Sequence, residues 1–388
     1  MAHSAYVESE IFKSFFIGGF ECSTHRRRGD HARLDLIAST HHERSAASDF
    51  NQLRGIGLRT VRDGLRWHLI ESLPGYYNWS SFLKIHNAAM ESGVEVIWDL
   101  FHYGWPDGLD IFSPVFIDRF AKFAAAAARV IRQQSDAIPF YCPINEISYF
   151  AWAGAEKNLM NPFASGRGGD LKRQLIRASI AAIEAIRSVD HRARFVHVEP
   201  AIHVVTPTAH EADACEAYRA SQFESMDMMT GRSEPWLGGK ADYLDILGLN
   251  YYPDNQWIFK GGTIPMGHHQ YRPMHDLLQE IYARYGCPLV IAETGAEGTA
   301  RPAWFYYVVR EVLAAKLGGV NLQGVCLYPV TDYPGWENGR LCETGLLQAP
   351  DDEGRRPFFA PLLEELVSSA DYLRTQLREW VPSADRVA

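Results

Sequence analysis

Eight short apolar segments alternate with longer amphipathic segments along this chain, and this alternation constrains its fold more than any other feature. The predicted strands cover residues 15–20, 58–62, 95–100, 138–143, 195–198, 245–249, 289–292 and 325–328. The predicted helices between them include 46–53, 82–92, 117–133, 171–189, 274–285 and 304–317. Strands that alternate with helices form βαβ units and a parallel sheet. Eight such units close into a (β/α)8 TIM barrel, which is the α/β fold we predict.

The length of 388 residues suits one barrel with insertions, because such barrels take about 250 residues and can exceed 400. Hydrophobic residues make up 47% of the chain, enough for a large core. No low-complexity linker divides the sequence. We therefore expect a single domain over residues 1–388, with the barrel core at about 14–370.

The charge and the apolar pattern exclude several classes of partner. A net charge of −9 argues against nucleic acid, since phosphate binding needs a basic surface. Residues 1–13 lack the apolar run of a signal peptide, and no segment approaches the roughly 18 apolar residues of a membrane span. We expect a cytoplasmic protein that contacts neither membrane nor nucleic acid. The six cysteines lack metal-ligand spacing, so we predict buried reduced thiols, no metal and no cofactor.

Polar residues that end the predicted strands should meet at one mouth of the barrel, where the active sites of such barrels lie. Glu146 ends strand four and Glu293 ends strand seven, so the two carboxyl groups would face each other. Glycoside hydrolysis requires such a pair, because one carboxyl protonates the leaving oxygen and the other attacks the anomeric carbon or activates water. Glu199, after strand five, is better explained as a helix cap or a salt-bridge partner.

Six segments occur in the order expected for one enzyme family. They are TVRDGLRW at 60–67, FHYGWP at 101–106, PINEI at 143–147, GLNYY at 248–252, IAETGA at 291–296 and the stretch 324–339. Together they resemble glycoside hydrolase family 1, the β-glucosidase family, within the larger clan of retaining barrel glycosidases. The resemblance covers about 16–339 and is divergent, for example in Thr294, where the family usually has Asn.

The resemblance implies a role for each matched residue. Glu293 would be the nucleophile and Glu146 the general acid/base of a retaining double displacement. Arg62 would lie beside Glu293 and keep it ionised, since a nearby cation lowers a carboxyl pKa. Asn145 would bind the sugar 2-hydroxyl, and Tyr252 would donate to the nucleophile. The substrate implied is a small carbohydrate or glycoside.

Further resemblances and two departures concern the sugar pocket. His102 would bind a hydroxyl, Trp336 would line the donor site, and Tyr328 would offer an aromatic face to the sugar. The family's hydroxyl-gripping Gln falls near Arg26, and its hydroxyl-gripping Glu is replaced by Gly335. We therefore predict that the pocket is not a glucose pocket, and that Arg26, or an arginine next to it, faces an acidic or otherwise modified sugar. The alternative is that these arginines belong to a solvated surface loop. The clan also predicts a cis peptide after the aromatic residue of strand eight, here Tyr328–Pro329.

Two alternatives remain open at this level. The same two carboxylates could catalyse transglycosylation, with a sugar or an alcohol in place of water. A non-catalytic carbohydrate-binding barrel is a different class of function. The joint presence of both carboxylates with Arg62, Asn145 and Tyr252 disfavours the binding protein.

Overall fold

Eight parallel strands close into a barrel in the computed structural model, which describes residues 4–351 and 353–379. The strands are β1 Phe16–Gly19, β2 Thr60–Gly64, β3 Glu95–Asp99, β4 Phe140–Cys142, β5 Arg194–Pro200, β6 Ile246–Asn250, β7 Leu289–Thr294 and β8 Leu322–Leu327. Each strand pairs with the next along the chain, and β8 pairs with β1. The predicted fold is confirmed, and each predicted strand overlaps an observed one.

The strands are buried on both faces, which explains why they appear in the sequence as nearly continuous apolar runs. Side chains alternate between the barrel interior and the surrounding helices. The interior is filled by a separate apolar cluster that includes Ile17, Ile97, Cys142, Val196, Val290 and Cys326. Polar side chains follow this cluster at the carboxyl ends of the strands. The barrel interior is therefore filled with apolar side chains, and the polar side chains collect at the end of the barrel where the strands terminate, which we call the mouth.

The described residues include eight longer helices, and helical periodicity predicted six of them. They are α1 His42–Gly55, α2 Ser80–Ser92, α3 Pro114–Gln134, α4 Gly168–Arg187, α5 Ala212–Ala220, α6 Met274–Tyr285, α7 Arg301–Leu317 and α8 Ala360–Glu379. The sequence prediction omitted α5 and α8. Prolines begin α3 and α7, where a missing N–H is tolerated. None of the helices in the described part of the chain has the length and apolarity that a membrane crossing requires.

Short elements decorate the strand ends. The additional helical turns are Leu36–Ser39, Trp67–Ile70, Ile147–Phe150, the π-helix Ala151–Glu156 and Glu224–Met229. Strand His203–Val205 pairs in parallel with Gln256–Ile258, and Tyr333–Pro334 pairs antiparallel with Leu341–Cys342. These elements lie in the loops after the strands, so they shape the surroundings of the mouth.

A buried ionic cluster attaches α1 to β2 and to the segment before α8. His42 contacts Asp49 through Nδ1 at 2.8 Å and Asp63 through Nε2 at 2.9 Å, and Arg356 donates to Asp49 at 2.9 Å. All four side chains are buried. Burial alone would lower the pKa of His42, but Asp63 and Asp49 outweigh it and raise the pKa from 6.5 to about 9. The cluster then holds two cations against two anions.

This cluster predicts a pH-dependent stability. Because the folded pKa of His42 exceeds its unfolded value, its contribution is complete below about pH 6.5 and is lost as the pH rises through about 9. From pH 6 to pH 10 we expect the free energy of unfolding of the wild type to fall, relative to that of His42→Gln, by on the order of 3 kcal/mol. Urea unfolding at both pH values measures this difference. Parallel pH curves for the two proteins would contradict it.

Candidate active site

The two carboxyl groups predicted from strands four and seven both lie at the polar mouth. Glu146 follows β4 with a left-handed backbone (φ 44°), and its Oε2 accepts a hydrogen bond from the Tyr103 hydroxyl at 2.6 Å. Glu293 is the fifth residue of β7, and its Oε2 accepts from the Tyr252 hydroxyl at 2.9 Å. Each carboxylate is thus oriented by its own tyrosine.

Arg62 joins three strand ends by using all five of its N–H donors. It donates twice to Asp99, at 2.9 and 2.7 Å, and once to Glu293 Oε1 at 2.8 Å. The remaining donors reach the Asn145 side-chain oxygen at 2.7 Å and the Ala292 carbonyl at 3.1 Å. A guanidinium has only five N–H donors, so every donor of Arg62 is used in a hydrogen bond to a neighbouring residue.

The Asn145 amide continues this network towards Glu146. Because its oxygen accepts from Arg62, its nitrogen must be the group that faces His102 Nε2 at 3.1 Å and the Tyr103 hydroxyl at 2.9 Å. An amide nitrogen only donates, so His102 Nε2 accepts and its Nδ1 carries the proton that points to Asp99 at 3.0 Å. A continuous chain of hydrogen bonds therefore runs from Glu293 through Arg62, Asn145 and Tyr103 to Glu146.

The two carboxyl groups have different electrostatic surroundings. Burial raises the pKa of both groups. At Glu293 the adjacent Arg62 cation and the Tyr252 hydroxyl oppose this effect. At Glu146 the Tyr103 hydroxyl opposes it, but the nearby Glu199 raises the pKa further. The Arg62 cation therefore favours the ionised form of Glu293, which it contacts at 2.8 Å.

Glu199 is placed behind Glu146 rather than in the mouth. Its carboxylate accepts the backbone N–H of Ser148, at 3.1 and 3.3 Å, in the first turn of the helix that begins after Glu146. This is the helix-cap role expected from the sequence. Burial raises the pKa of Glu199 to about 7. Glu199 thus supports the backbone that carries Glu146 and also affects its charge.

Tyr328 forms one wall of the mouth. Its ring lies parallel to the His102 ring, with centroids 6.2 Å apart, and the Arg62 guanidinium lies 5.5 Å from its centroid. A Cβ at Gly19 would lie 2.4 Å from the Tyr328 ring, so glycine is required at that position of β1. The Tyr328–Pro329 peptide is cis, which confirms the prediction.

Trp336 also lies at the mouth, whereas Arg26, which we predicted to contact the sugar, is paired with another carboxylate. Trp336 packs edge-on against His25, with centroids 4.5 Å apart, and lies 6.0 Å from Tyr103. The Arg26 side chain turns away, donating to Asp107 at 2.8 Å and to the His31 carbonyl at 2.9 Å. A carboxylate of the protein thus already neutralises this guanidinium. His25, its neighbour in sequence, takes the position at the mouth.

The two other arginines of this basic run are paired with a surface carboxylate or exposed to solvent. Arg27 forms a bidentate pair with Asp30, and Arg28 is exposed. Paired or solvated arginines are the ordinary outcome for a charged surface loop. The acidic-sugar prediction that rested on this run therefore has no support in the structure.

Cys22, Asp99 and His102 form a buried group whose potential ligand atoms lie within 4.8 Å of one another. The sequence missed this group because the residues are far apart in the chain. Both oxygens of Asp99 already accept from Arg62, and the His102 proton points to the same carboxylate. A guanidinium beside the carboxylate opposes a second cation, so the geometry favours a hydrogen-bonded support for His102 over a metal centre.

Sequence reasoning placed Tyr103 at the end of strand three without a role, and it missed Glu21 and Asp99 as members of the site. Asp99 ends β3 and Glu21 lies two residues beyond β1, so the strand-end rule that identified Glu146 applies to them as well. Tyr103 has a left-handed backbone (φ 66°), an unusual conformation that a sequence does not reveal.

Comparisons with known proteins found similar solved structures but no similar sequence. No protein-family model matches the sequence, and no curated protein matches it significantly. The structure is similar to the β-glycosidase from the hyperthermophile Thermosphaera aggregans, with a TM-score of 0.74 at 17% identity over 93% of this chain and 98% of that one. It is also similar to the AHE enzyme from Alicyclobacillus herbarius, with a TM-score of 0.75 at 17% identity over 92% and 98%.

A third similar structure is the β-glucosidase from Thermotoga maritima in complex with glucoimidazole, with a TM-score of 0.74 at 14% identity over 95% of this chain and 98% of that one. The identities are low in all three comparisons, so the similarity concerns the fold. The chain therefore shares its barrel fold with these three structures.

Proposed function

We propose that this protein is a retaining β-glycosidase in which Glu293 is the nucleophile and Glu146 the general acid/base. One observation carries the proposal: a buried and a half-buried carboxyl group share a mouth, and among the described residues an arginine contacts Glu293 and none contacts Glu146. Arg62 and Tyr252 favour the ionised form of Glu293, while no arginine or lysine of the described chain forms a salt bridge with Glu146. A retaining mechanism needs this division between an ionised nucleophile and a protonated acid.

In the first step Glu293 attacks the anomeric carbon, and Glu146 protonates the departing oxygen. A covalent glycosyl-enzyme forms, and the Glu293 charge is lost. Because a neighbouring negative charge raises a carboxyl pKa, this loss lowers the pKa of Glu146. Glu146 then removes a proton from water, which attacks the anomeric carbon and restores Glu293 with net retention. The two carboxyl groups do this chemistry, so we propose that no metal or cofactor takes part.

The remaining predicted residues would bind the donor sugar. Asn145 would contact the 2-hydroxyl and His102 another hydroxyl. Both N–H groups of Asn145 already face His102 and Tyr103, so a sugar hydroxyl must replace one of these contacts. Tyr328 and Trp336 would form the aromatic walls against the apolar side of the ring.

The anomeric configuration of the first product tests this proposal. We expect purified protein to hydrolyse at least one member of a panel of aryl β-glycosides. Proton NMR at early times should then show the β-anomer before mutarotation. The α-anomer as first product would exclude the double displacement. A sugar-binding barrel without activity would bind glycosides and cleave none, whereas transglycosylation would add products formed with an alcohol acceptor.

Glu199 provides a test of the acid/base assignment. Glu199→Gln keeps an oxygen that can accept the Ser148 N–H but removes the charge that raises the pKa of Glu146. We expect the basic limb of the kcat/KM profile to move down by about one pH unit, in the range above about 7 where Glu199 is ionised. The exposed Glu91→Gln is the matched control. If the basic limb of the folded variant does not move, Glu199 caps the helix but does not influence the pKa of Glu146.

We also propose that residues 1–388 form one glycosidase domain. The barrel closes between β1 and β8, and α8 packs on α7. Both termini of the described chain meet there as well, because Arg374 donates to the carbonyl of Ser4 at 3.4 Å. A single cooperative unfolding transition would support this organisation.

A further inference from the structure

Glu21 is a third carboxylate at the barrel mouth, and the proposed chemistry does not use it. The preceding Phe20 faces outward, with its ring stacked on His42 at 3.6 Å. Successive residues of an extended chain point to opposite faces, so Glu21 points inward, above Gly19 and Ile17. Glu21 is 4% exposed. Its charge raises the pKa of His102 and of Tyr328, and the charge of Glu293 raises the pKa of Glu21. It therefore lies beside the candidate active site.

The contacts of Glu21 leave one of its oxygens free. Oε1 accepts the backbone N–H of Ser23 at 3.0 Å and also the Ser23 hydroxyl. Within residues 4–351 and 353–379, no group donates to Oε2. Burial raises the pKa of this carboxyl, as it must for a charge removed from water. Oε2 of this largely buried residue therefore keeps the capacity to accept hydrogen bonds from a ligand.

No arginine of the described chain neutralises Glu21, because those around the mouth are paired elsewhere. Arg62 holds Asp99 and Glu293, Arg26 and Arg33 share Asp107, and Arg340 pairs with Glu297. The arginines of the described chain around the pocket are therefore already paired, and the charge that opposes the burial of Glu21 comes from His102. An anionic sugar would be repelled there, whereas hydroxyl groups would find strong acceptors.

Further unused polar atoms surround the same space. His25 is 2% exposed, and its Nδ1 has no hydrogen-bond partner in the described chain. The Tyr328 hydroxyl and the Trp336 indole N–H are likewise buried and unpaired among the described residues. Because buried polar groups normally have partners, several unpaired atoms around one mouth indicate a built binding site.

We propose that Glu21 recognises the donor sugar by accepting hydrogen bonds from its hydroxyl groups, and that the pocket thereby selects neutral sugars over sugar acids. This inference rests on the proposed glycosidase function and identifies its substrate class. Glu21 acts here as a specificity-determining residue. The unpaired atoms of His25, Tyr328 and Trp336 complete the polar edge that faces the sugar.

The inference is tested by measuring kcat/KM of enzyme variants on a set of substrate analogues. The substrates are a neutral aryl β-glycoside that the wild type cleaves, its analogues that lack one hydroxyl each, the corresponding amino sugar and the uronic acid. Glu21→Gln, Glu21→Ala and the exposed control Glu91→Gln are assayed on each. We expect Glu21→Gln to lower kcat/KM on the full sugar by about 10- to 100-fold, the effect of losing a charged hydrogen bond.

On the analogue that lacks the contacted hydroxyl, the same variant should differ from the wild type by about twofold at most, because the contact is already absent. The uronic acid should be the poorest wild-type substrate. Partial misfolding scales every rate of a variant equally, so it cancels when substrates are compared within one variant.

Equal losses on every analogue, or a wild-type preference for the uronic acid, would overturn the role of Glu21 while leaving the glycosidase intact. A preference for the amino sugar that Glu21→Gln abolishes would also overturn it, because the ligand would then be an ammonium group. Failure of the wild type to cleave any glycoside would instead refute the proposed function itself.

Discussion

Replacing Glu293 by Ala is expected to lower kcat on aryl β-glycosides by about 10⁴-fold or more, the size of effect seen when a catalytic nucleophile is removed. The covalent intermediate cannot form without this carboxylate. Arg62 and Tyr252 would also lose the charge they contact at 2.8 and 2.9 Å. Added azide should attack the anomeric carbon from the vacated side and give the glycosyl azide of inverted configuration.

The matched control for this prediction is Glu297→Ala, four residues further along the chain. Glu297 is a surface carboxylate paired with Arg340, so its loss should change kcat little. NMR of the azide product and initial rates on an activated aryl glycoside measure both outcomes. A glycosyl azide of retained configuration from the Glu293 variant would mean that the two carboxyl roles are reversed.

Replacing Glu146 by Ala should lower kcat by about 10²- to 10⁴-fold on glycosides with poor leaving groups, the usual worth of general acid/base catalysis. Activated aryl glycosides need no protonation to leave, so their glycosylation step should be affected less. Without its base the variant should accumulate the glycosyl-enzyme. Azide needs no deprotonation and should therefore restore turnover, with retained configuration.

The measurement is the azide dependence of kcat for substrates that span a range of leaving-group pKa. Tyr103→Phe is a useful companion, because it removes the hydroxyl that donates to Glu146 at 2.6 Å and keeps the carboxyl. We expect that variant to lose far less activity than Glu146→Ala. A Glu146 variant that loses the same factor on good and poor leaving groups would not support its assignment as the acid.

Arg62 explains why the two variants should differ so strongly. It lies beside Glu293 and reaches Asn145 and Asp99 with its other donors, yet it does not contact Glu146. The positive charge therefore acts on one carboxyl of the pair. This difference in surroundings is the reason why we assign the role of nucleophile to Glu293 and that of acid to Glu146.

The barrel and the position of the two carboxyl groups followed from the sequence alone. Eight apolar runs separated by amphipathic segments permit few arrangements, because parallel strands must be covered by helices on the outside. A residue at the carboxyl end of such a strand reaches the mouth whatever its neighbours are. Glu146 and Glu293 could be placed there by this local rule, together with Arg62 and Tyr252.

Which charges pair with one another was decided by the tertiary structure. Arg26 was expected to face a sugar but binds Asp107, 81 residues away, and Glu21 received no arginine partner. Glu199 reached the helix behind Glu146, and His25 took the place beside Trp336. Strand ends are set by a repeating pattern in the sequence. Ion pairs between loops depend on the positions of the loops in the folded protein, and no local periodicity of the sequence predicts those positions.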